Sequence, residues 1–131
     1  MSRRLRREGG QDLIEYALIL PVLAVLLFGI LEFALIMFTY NTIGNAAREG
    51  ARFGSVHCSS FHTACGANDP EVIAATRGLT TGLNQATLTI NQPAPSGGAI
   101  QVQVSYRVNL VPAILGSPSI NLQARSTMQT E

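Results

Sequence analysis

The chain has 131 residues, nine basic against eight acidic side chains, and a positive mean hydropathy. Its length indicates one unit of ordinary size. All nine basic residues are Arg, and none lies in a patch interleaved with aromatic side chains, so binding to nucleic acid is disfavoured. The apolar residues are concentrated between positions 17 and 38, whereas the sequence after position 58 is an ordinary mixture. This distribution predicts two regions that face different solvents.

An apolar run from Ala17 to Phe38 is long enough to cross a membrane. As a helix rising about 1.5 Å per residue it extends over about 33 Å, against a hydrocarbon core of about 30 Å. Short Arg-rich flanks remain on the cytoplasmic side of membranes. The pattern therefore predicts a single membrane pass, with the N-terminus cytoplasmic and the C-terminal half extracytoplasmic. The arginines that precede the run are Arg3, Arg4, Arg6 and Arg7.

The residues at the two ends of the apolar run indicate which kind of membrane segment it is. A secretory signal has an apolar core of about 7 to 15 residues followed by small residues at a cleavage site. This run is longer and no such site follows it directly, so secretory cleavage is disfavoured. A plain signal anchor explains the length and the arginines but not Glu15, a carboxylate where the helix enters the membrane. A position of Glu15 among the lipid headgroups remains an alternative.

The N-terminal motifs carry a family resemblance. The letters "REGG" followed by "QDLIEYALILPVL" resemble a type IV prepilin junction, in which a short basic leader precedes an apolar helix. Three motifs, at Gly10 to Pro21, Gly29 to Phe33 and Asn45 to Arg52, occur in the order found in TadE-like minor pilins of the tight-adherence system. The closing "INLQARSTMQTE" also resembles the last strand of such proteins. The chain thus resembles a TadE-like minor pilin over most of its length.

The resemblance implies processing and assembly. A prepilin peptidase would cut after Gly10 and leave Gln11 as the new N-terminus. Glu15, the fifth mature residue, would then meet the free amine of a neighbouring subunit. Because a buried charge without its partner costs roughly 3 to 5 kcal/mol, this pairing would enforce register between subunits. The implied partners are the other pilins and pseudopilins of the system and the pilus assembly platform, and the filament would serve adhesion or secretion.

Further along the helix, Glu32 lies about 25 Å beyond Glu15 and on a different face. We expect an interhelical contact for Glu32, with a position at headgroup level as the alternative. Ala46, Gly50 and Gly54 are small residues at spacing four on one face. Such a face permits close helix packing, so we expect contacts of these three residues with a neighbouring stem, or else a helix that frays toward the next domain.

The segment "HCSSFHTAC" contains His57, Cys58, His62 and Cys65 in one short stretch. Zinc is disfavoured, because structural zinc sites pair two closely spaced ligands with a distant second pair. Outside the cytoplasm two cysteines more often form a disulfide, so we expect a bond between Cys58 and Cys65, with free thiols as the alternative. No metal and no cofactor is expected.

The remainder predicts a small α+β domain with a short helix and a three-stranded antiparallel sheet. The helix is predicted from "DPEVIAATRGL", with Asp69 as N-cap and Pro70 in the first turn. The expected organisation is a cytoplasmic leader over 1–10, a transmembrane stem helix over 11–56 and an extracytoplasmic domain over 57–131. The strands are predicted from period-two alternation around Leu88, from Ile100 to Val108 and from Ile120 to Met128.

No set of residues indicates an enzyme, since neither His57 nor His62 has an activating partner in the pattern. The expected function is that of a structural subunit, a minor pilin that is processed, held in the inner membrane and then joined to a pilus. The alternative is an unprocessed single-pass receptor or adhesin that displays a binding module. A mature chain that begins at Gln11 favours the first, and an intact leader favours the second.

Overall fold

A computed structural model describes residues 9–58, 65–110 and 118–130 of the chain. Residues 1–8 of the Arg-rich leader, His62 and residues 111–117 lie outside the described residues. The elements in order are helix α1 (Gly9–His57), helix α2 (Pro70–Gly78) and strands β1 (Leu88–Asn91), β2 (Ala99–Asn109) and β3 (Ser119–Gln129). The expected class, an α+β chain with a long apolar N-terminal helix, is confirmed.

Two compact units divide the chain, Met1–Leu35 and Ile36–Glu131. The second unit begins inside α1, about twenty residues before the boundary expected at position 56. The last part of α1, about six turns from Ile36 to His57, thus folds together with the sheet and α2, because its buried residues belong to the same apolar core. The division into leader, stem and outer domain stays a prediction.

The sheet has the order β1-β2-β3, and both pairs of strands are antiparallel. Strands β2 and β3 pair without interruption from Ala99 opposite Gln129 to Asn109 opposite Ser119. The turn into β2 is tight, and Gly97 and Gly98 both have positive φ, of 60° and 72°. Glycine suits this turn because a side chain would strain a left-handed backbone.

Helix α2 begins as its sequence predicts. Asp69 caps it, and its Oδ1 accepts a hydrogen bond of 3.0 Å from the Glu71 amide. Pro70 occupies the first helical position, where the missing N–H would have no partner in any case. Glu71 places a negative charge at the positive end of the helix dipole. The helix ends at Gly78.

The core of the second unit lies between α1, α2 and the inner face of the sheet. Ile43, Ala47 and Ala51 contribute to it from one stripe of α1. Small side chains on this stripe let the helix approach the sheet closely. The other fully buried apolar residues that meet them are Val72, Ile100, Val102 and Val104.

Candidate functional site

The apolar part of α1 within the first unit exposes its side chains along its whole length. Its large apolar side chains, from Leu13 to Leu35, are each between 52 and 71% exposed. Within the described residues, α1 is the one helix long and apolar enough to cross a membrane. Such a surface in water would drive association, so its natural surroundings are lipid or other apolar helices. The helix fits a single-pass membrane protein.

The helix carries its carboxylates in two different settings. Glu15 is exposed, as are Gln11 and Asp12 in the first turns. Glu32 is half-buried and takes part in an interaction. Seventeen residues separate Glu15 from Glu32, which corresponds to about 25 Å along the axis and about 100° around it. One partner therefore cannot meet both carboxylates, and their assembly roles stay predictions.

The small-residue face of α1 packs inside this chain. Ala46 is fully buried, and Gly50 and Gly54 are buried as well. A Cβ on Gly50 would overlap the Thr76 side chain of α2, and a Cβ on Gly54 would lie 2.5 Å from Ile100 Cδ1 of β2. Within this chain, Gly50 thus approaches α2 and Gly54 approaches β2 closely. The expectation that this face contacts a neighbouring stem stays a prediction.

At the end of α1 a disulfide joins Cys58 to Cys65, as the sequence predicted. Cys58 is nearly buried against the core, and its amide donates a 2.8 Å hydrogen bond to the Gly54 carbonyl. His57, the last residue of α1, stacks on Phe53 with ring centroids 5.4 Å apart. The bond thus fixes the end of the stem helix to the segment that leads into α2.

Two carboxylates at the start of α2 lie close to the His57 imidazole. His57 Nε2 lies 3.3 Å from Glu71 Oε2 and 4.0 Å from Asp69 Oδ1. The side chains of His57 and Asp69 are 23 and 15% exposed, whereas that of Glu71 is 65% exposed. The end of one helix and the beginning of the next therefore meet through side chains of opposite potential charge.

Residues 10–52 match a family model described as TadE-like protein. Over these residues the chain is TadE-like. Over these residues the match confirms the resemblance predicted from the motifs. It starts at Gly10, the predicted processing position, and includes Glu15 and Glu32. Comparison with curated proteins and with solved structures gave no match.

The TadE-like segment covers the apolar run, Ala46 and Gly50, but it stops before Gly54, the disulfide and the sheet. The part of the second unit beyond Arg52 is therefore characterised by its own geometry alone. In that part, sequence reasoning missed Gln92, whose side chain is fully buried. It also missed that Asp69 and Glu71 lie beside His57. The available signal for Asp69 was its capping position, which accounted for the residue without any second contact.

Proposed function

We propose that this TadE-like protein is a minor pilin or pseudopilin of a tight-adherence type IV pilus, where it assists assembly and thereby adhesion or secretion. The observation that carries the proposal is the stem of α1, whose large apolar side chains from Leu13 to Leu35 are exposed. A surface of this kind is stable in lipid and equally stable against apolar stems of similar subunits. The family match over the same residues supports contact with the stems of similar subunits as well as insertion in lipid.

The proposed function has two steps, proteolytic processing and assembly with other subunits. A prepilin peptidase cuts between Gly10 and Gln11 while the stem lies in the inner membrane. The new amine at Gln11 and the carboxylate of Glu15 then carry opposite charges one helical turn apart on the same helix. A pair within one chain cannot set the register between two chains. Pairing between subunits uses the Glu15 of one chain and the amine of the next. Both groups are exposed or terminal, which leaves them available to a neighbour.

Ion pairing in an apolar bundle acts mainly against wrong arrangements. A carboxylate that enters hydrocarbon without a partner is destabilising by several kcal/mol, whereas the correct pair roughly compensates its own desolvation. Glu15 would therefore select the register of a subunit more than it would strengthen the filament. The assembly platform supplies the pilins among which this selection takes place.

The processing step is tested on the chain purified from the membranes of its own cells. N-terminal sequencing and intact-mass measurement are expected to give a chain that begins at Gln11. A Gly10→Leu variant is expected to keep its leader, because a bulky side chain blocks the peptidase cleft. An intact Arg-rich leader on the wild-type chain would instead support a single-pass receptor or adhesin and reject the pilin proposal.

The assembly step is tested by co-purification with the other pilins. Glu15→Gln is expected to lower the amount of co-purified pilin at least tenfold, since it removes the charge and preserves the shape. Asp12→Asn is the matched control, because Asp12 is an exposed carboxylate three residues earlier on the same helix. If the two variants assemble equally well, the role of Glu15 is refuted even where processing is confirmed.

A further inference from the structure

The outer face of the sheet, opposite the core, is polar on all three strands. Side chains alternate between the two faces of a strand, so the residues between the core positions lie on this outer face. Arg107 of β2 and Arg125 of β3 are positive, and in the part of the sheet that the structure describes this face has no carboxylate. The aligned residues from β1 to β3 are Thr89, Ser105 and Gln123 in one row and Asn91, Gln103 and Arg125 in the next. The charge of this face is therefore complementary to an anion.

A groove of about 360 Å³ lies in this face. Ser105 is half-buried and has the shortest side chain of its row, which leaves space between Thr89 and Gln123. The volume is at the lower end of the range of about 300 to 1,000 Å³ that small-molecule sites have. The polar residues that line the groove are Thr87, Thr89, Ser105, Arg107, Asn121 and Gln123. Its size and lining suit a small polar molecule.

The guanidinium group of Arg107 lies beside the groove in a defined orientation. Its Nε donates a 3.2 Å hydrogen bond to Asn121 Oδ1 on β3. Among the described residues, no carboxylate forms an ion pair with Arg107. The terminal nitrogens of a guanidinium group present parallel N–H donors that match the two oxygens of a carboxylate. Arg107 is thus the residue of the groove that selects the charge of a ligand.

We propose that this groove binds an acidic saccharide, a sugar unit that carries a carboxylate. The carboxylate binds the terminal nitrogens of Arg107, and the sugar hydroxyls bind the side chains of Ser105, Thr89 and Gln123. Hydroxyl and amide groups both donate and accept hydrogen bonds, as sugar hydroxyls do. The Gln123 Oε1 accepts a 3.4 Å hydrogen bond from Gln103 Nε2, which leaves the Gln123 amide nitrogen to donate to the ligand.

A saccharide fits the groove better than an acidic segment of a protein. The centres of protein interfaces are rich in aromatic and large apolar anchors. The middle of this groove is Ser105, and the aromatic side chain among its lining residues, Tyr106, accepts a 3.3 Å hydrogen bond from the Asn84 amide. An acidic peptide would therefore find the charge of Arg107 but little apolar surface for its other side chains.

The groove belongs to the second unit alone, so the proposal depends neither on processing nor on pilus assembly. Its failure would leave the proposed function unchanged. The second unit is mainly the part of the chain predicted to lie outside the cytoplasm, where polysaccharides of cell surfaces are accessible. Binding of an acidic polysaccharide would give a subunit of this kind a contact of its own with such a surface.

The test measures binding of the full chain in detergent, at low salt, to immobilised alginate, which is a polymer of uronic acids. Retention on alginate is expected to exceed retention on neutral dextran, and sodium glucuronate in solution is expected to compete whereas glucose is not. Arg107→Gln is expected to weaken binding to alginate roughly tenfold or more, because it removes the charged donor. Ser105→Gln fills the groove without a change of charge and is expected to weaken binding as well.

Arg125→Gln is the matched control, because Arg125 is an exposed arginine of the same face that does not line the groove. It is expected to bind alginate within about twofold of the wild type, since binding depends on the groove and not on total charge. Thermal unfolding confirms that each variant is folded. Equal losses in Arg107→Gln and Arg125→Gln, or no retention of the wild type on alginate, would overturn the proposal. Equally tight binding of polyglutamate through Arg107 would also overturn it, since the ligand would then be an acidic peptide.

Discussion

Gly50 of α1 and Thr76 of α2 occupy one small space, in which a Cβ on Gly50 would overlap Thr76 Oγ1. The threonine is fully buried, and its hydroxyl donates a 2.7 Å hydrogen bond to the Val72 carbonyl in the preceding turn. The hydroxyl therefore cannot rotate away without losing a buried hydrogen bond. Glycine at position 50 is what allows the two helices to come this close.

Gly50→Ala is therefore expected to destabilise the second unit, although alanine is the better helix former. Overpacking of a filled space costs typically about 1 to 3 kcal/mol, which exceeds the gain of up to about 1 kcal/mol in helix propensity. The measurement is the free energy of unfolding of the full chain in detergent, from urea titration. Gly44→Ala is the control on the same helix, since a Cβ there would meet nothing within 4 Å.

Thr76→Ala in the Gly50→Ala background removes the overlapping hydroxyl and is expected to recover part of the loss. Full recovery is not expected, because the Thr76 Cβ would still lie 3.1 Å from the new methyl group. A Gly50→Ala chain that is as stable as Gly44→Ala would contradict this account of the helix contact.

The same contact shows how far the sequence could lead. Spacing four of Ala46, Gly50 and Gly54 predicts a face of close packing, and that face exists. The spacing does not say which surface meets the face, because a neighbouring stem and the chain's own α2 require the same small residues. The choice depends on where α2 folds back, which is a long-range property of the chain. By contrast, α2 itself was predictable because Asp69, Pro70 and Gly78 act locally.

The sheet, like α2, was predictable from a local sequence pattern, whereas the contacts of His57 beside the disulfide were not. Alternation with period two predicts β2 and β3, since one face is apolar along each strand. The contact of His57 with Asp69 and Glu71 was not predictable, because the two acidic residues follow His57 by twelve and fourteen positions. The Cys58–Cys65 bond brings the two segments together, and the sequence indicated the bond without indicating what else it would place there.

Reduction of the disulfide is expected to lower the free energy of unfolding of the second unit by about 2.5 kcal/mol. Cys58 and Cys65 are seven positions apart, and closing a loop of about eight residues in the unfolded chain has roughly this effect in the chain-entropy model. The measurement is urea unfolding of the wild type with and without reductant. A double variant, Cys58→Ser with Cys65→Ser, should unfold at one urea concentration under both conditions. A wild-type curve that reductant leaves unchanged, with thiol labelling confirming reduction, would refute the expectation.

Acid is expected to weaken one local interaction on the exposed side of α1. The side-chain hydrogen bond from Arg52 lowers the pKa of Glu49, although both side chains are exposed. The stabilisation by this pair is therefore present above about pH 4.5, the ordinary value, and is lost as the pH falls through the lowered pKa of the folded state. NMR titration of the Glu49 carboxyl is expected to show the low pKa.

Two arginine variants show whether the hydrogen bond causes the lowered pKa of Glu49. Arg52→Gln is expected to return the pKa of Glu49 toward its ordinary value, whereas Arg48→Gln, an exposed neighbour on the same helix, leaves it low. Global stability is expected to change little in either variant, because exposed ion pairs contribute little. If Arg52→Gln leaves the pKa of Glu49 low, the hydrogen bond is not its cause.

Gln92 connects the end of β1 to the turn before α2 through both ends of its amide. Its Oε1 accepts a 2.7 Å hydrogen bond from the Asp69 amide, and its Nε2 donates one of 3.3 Å to the Gly66 carbonyl. Its backbone also exchanges two hydrogen bonds with Asn68, which has a φ of 55°. The side chain is fully buried. It therefore holds the turn that presents Asp69 as the cap of α2.

Gln92→Ala is expected to lower the free energy of unfolding by roughly 1 to 3 kcal/mol, since it removes both hydrogen bonds of a fully buried side chain, those with the Asp69 N–H and the Gly66 C=O. Gln129→Ala is the matched control, because Gln129 is an exposed glutamine of the same sheet, and a change within about 0.5 kcal/mol is expected there. Hydrogen exchange gives a local readout, in which the Asp69 amide should lose protection in Gln92→Ala before the β2 amides do. Equal stability of the two variants, with the Asp69 amide still protected, would mean that the backbone exchange with Asn68 holds the turn without the side chain.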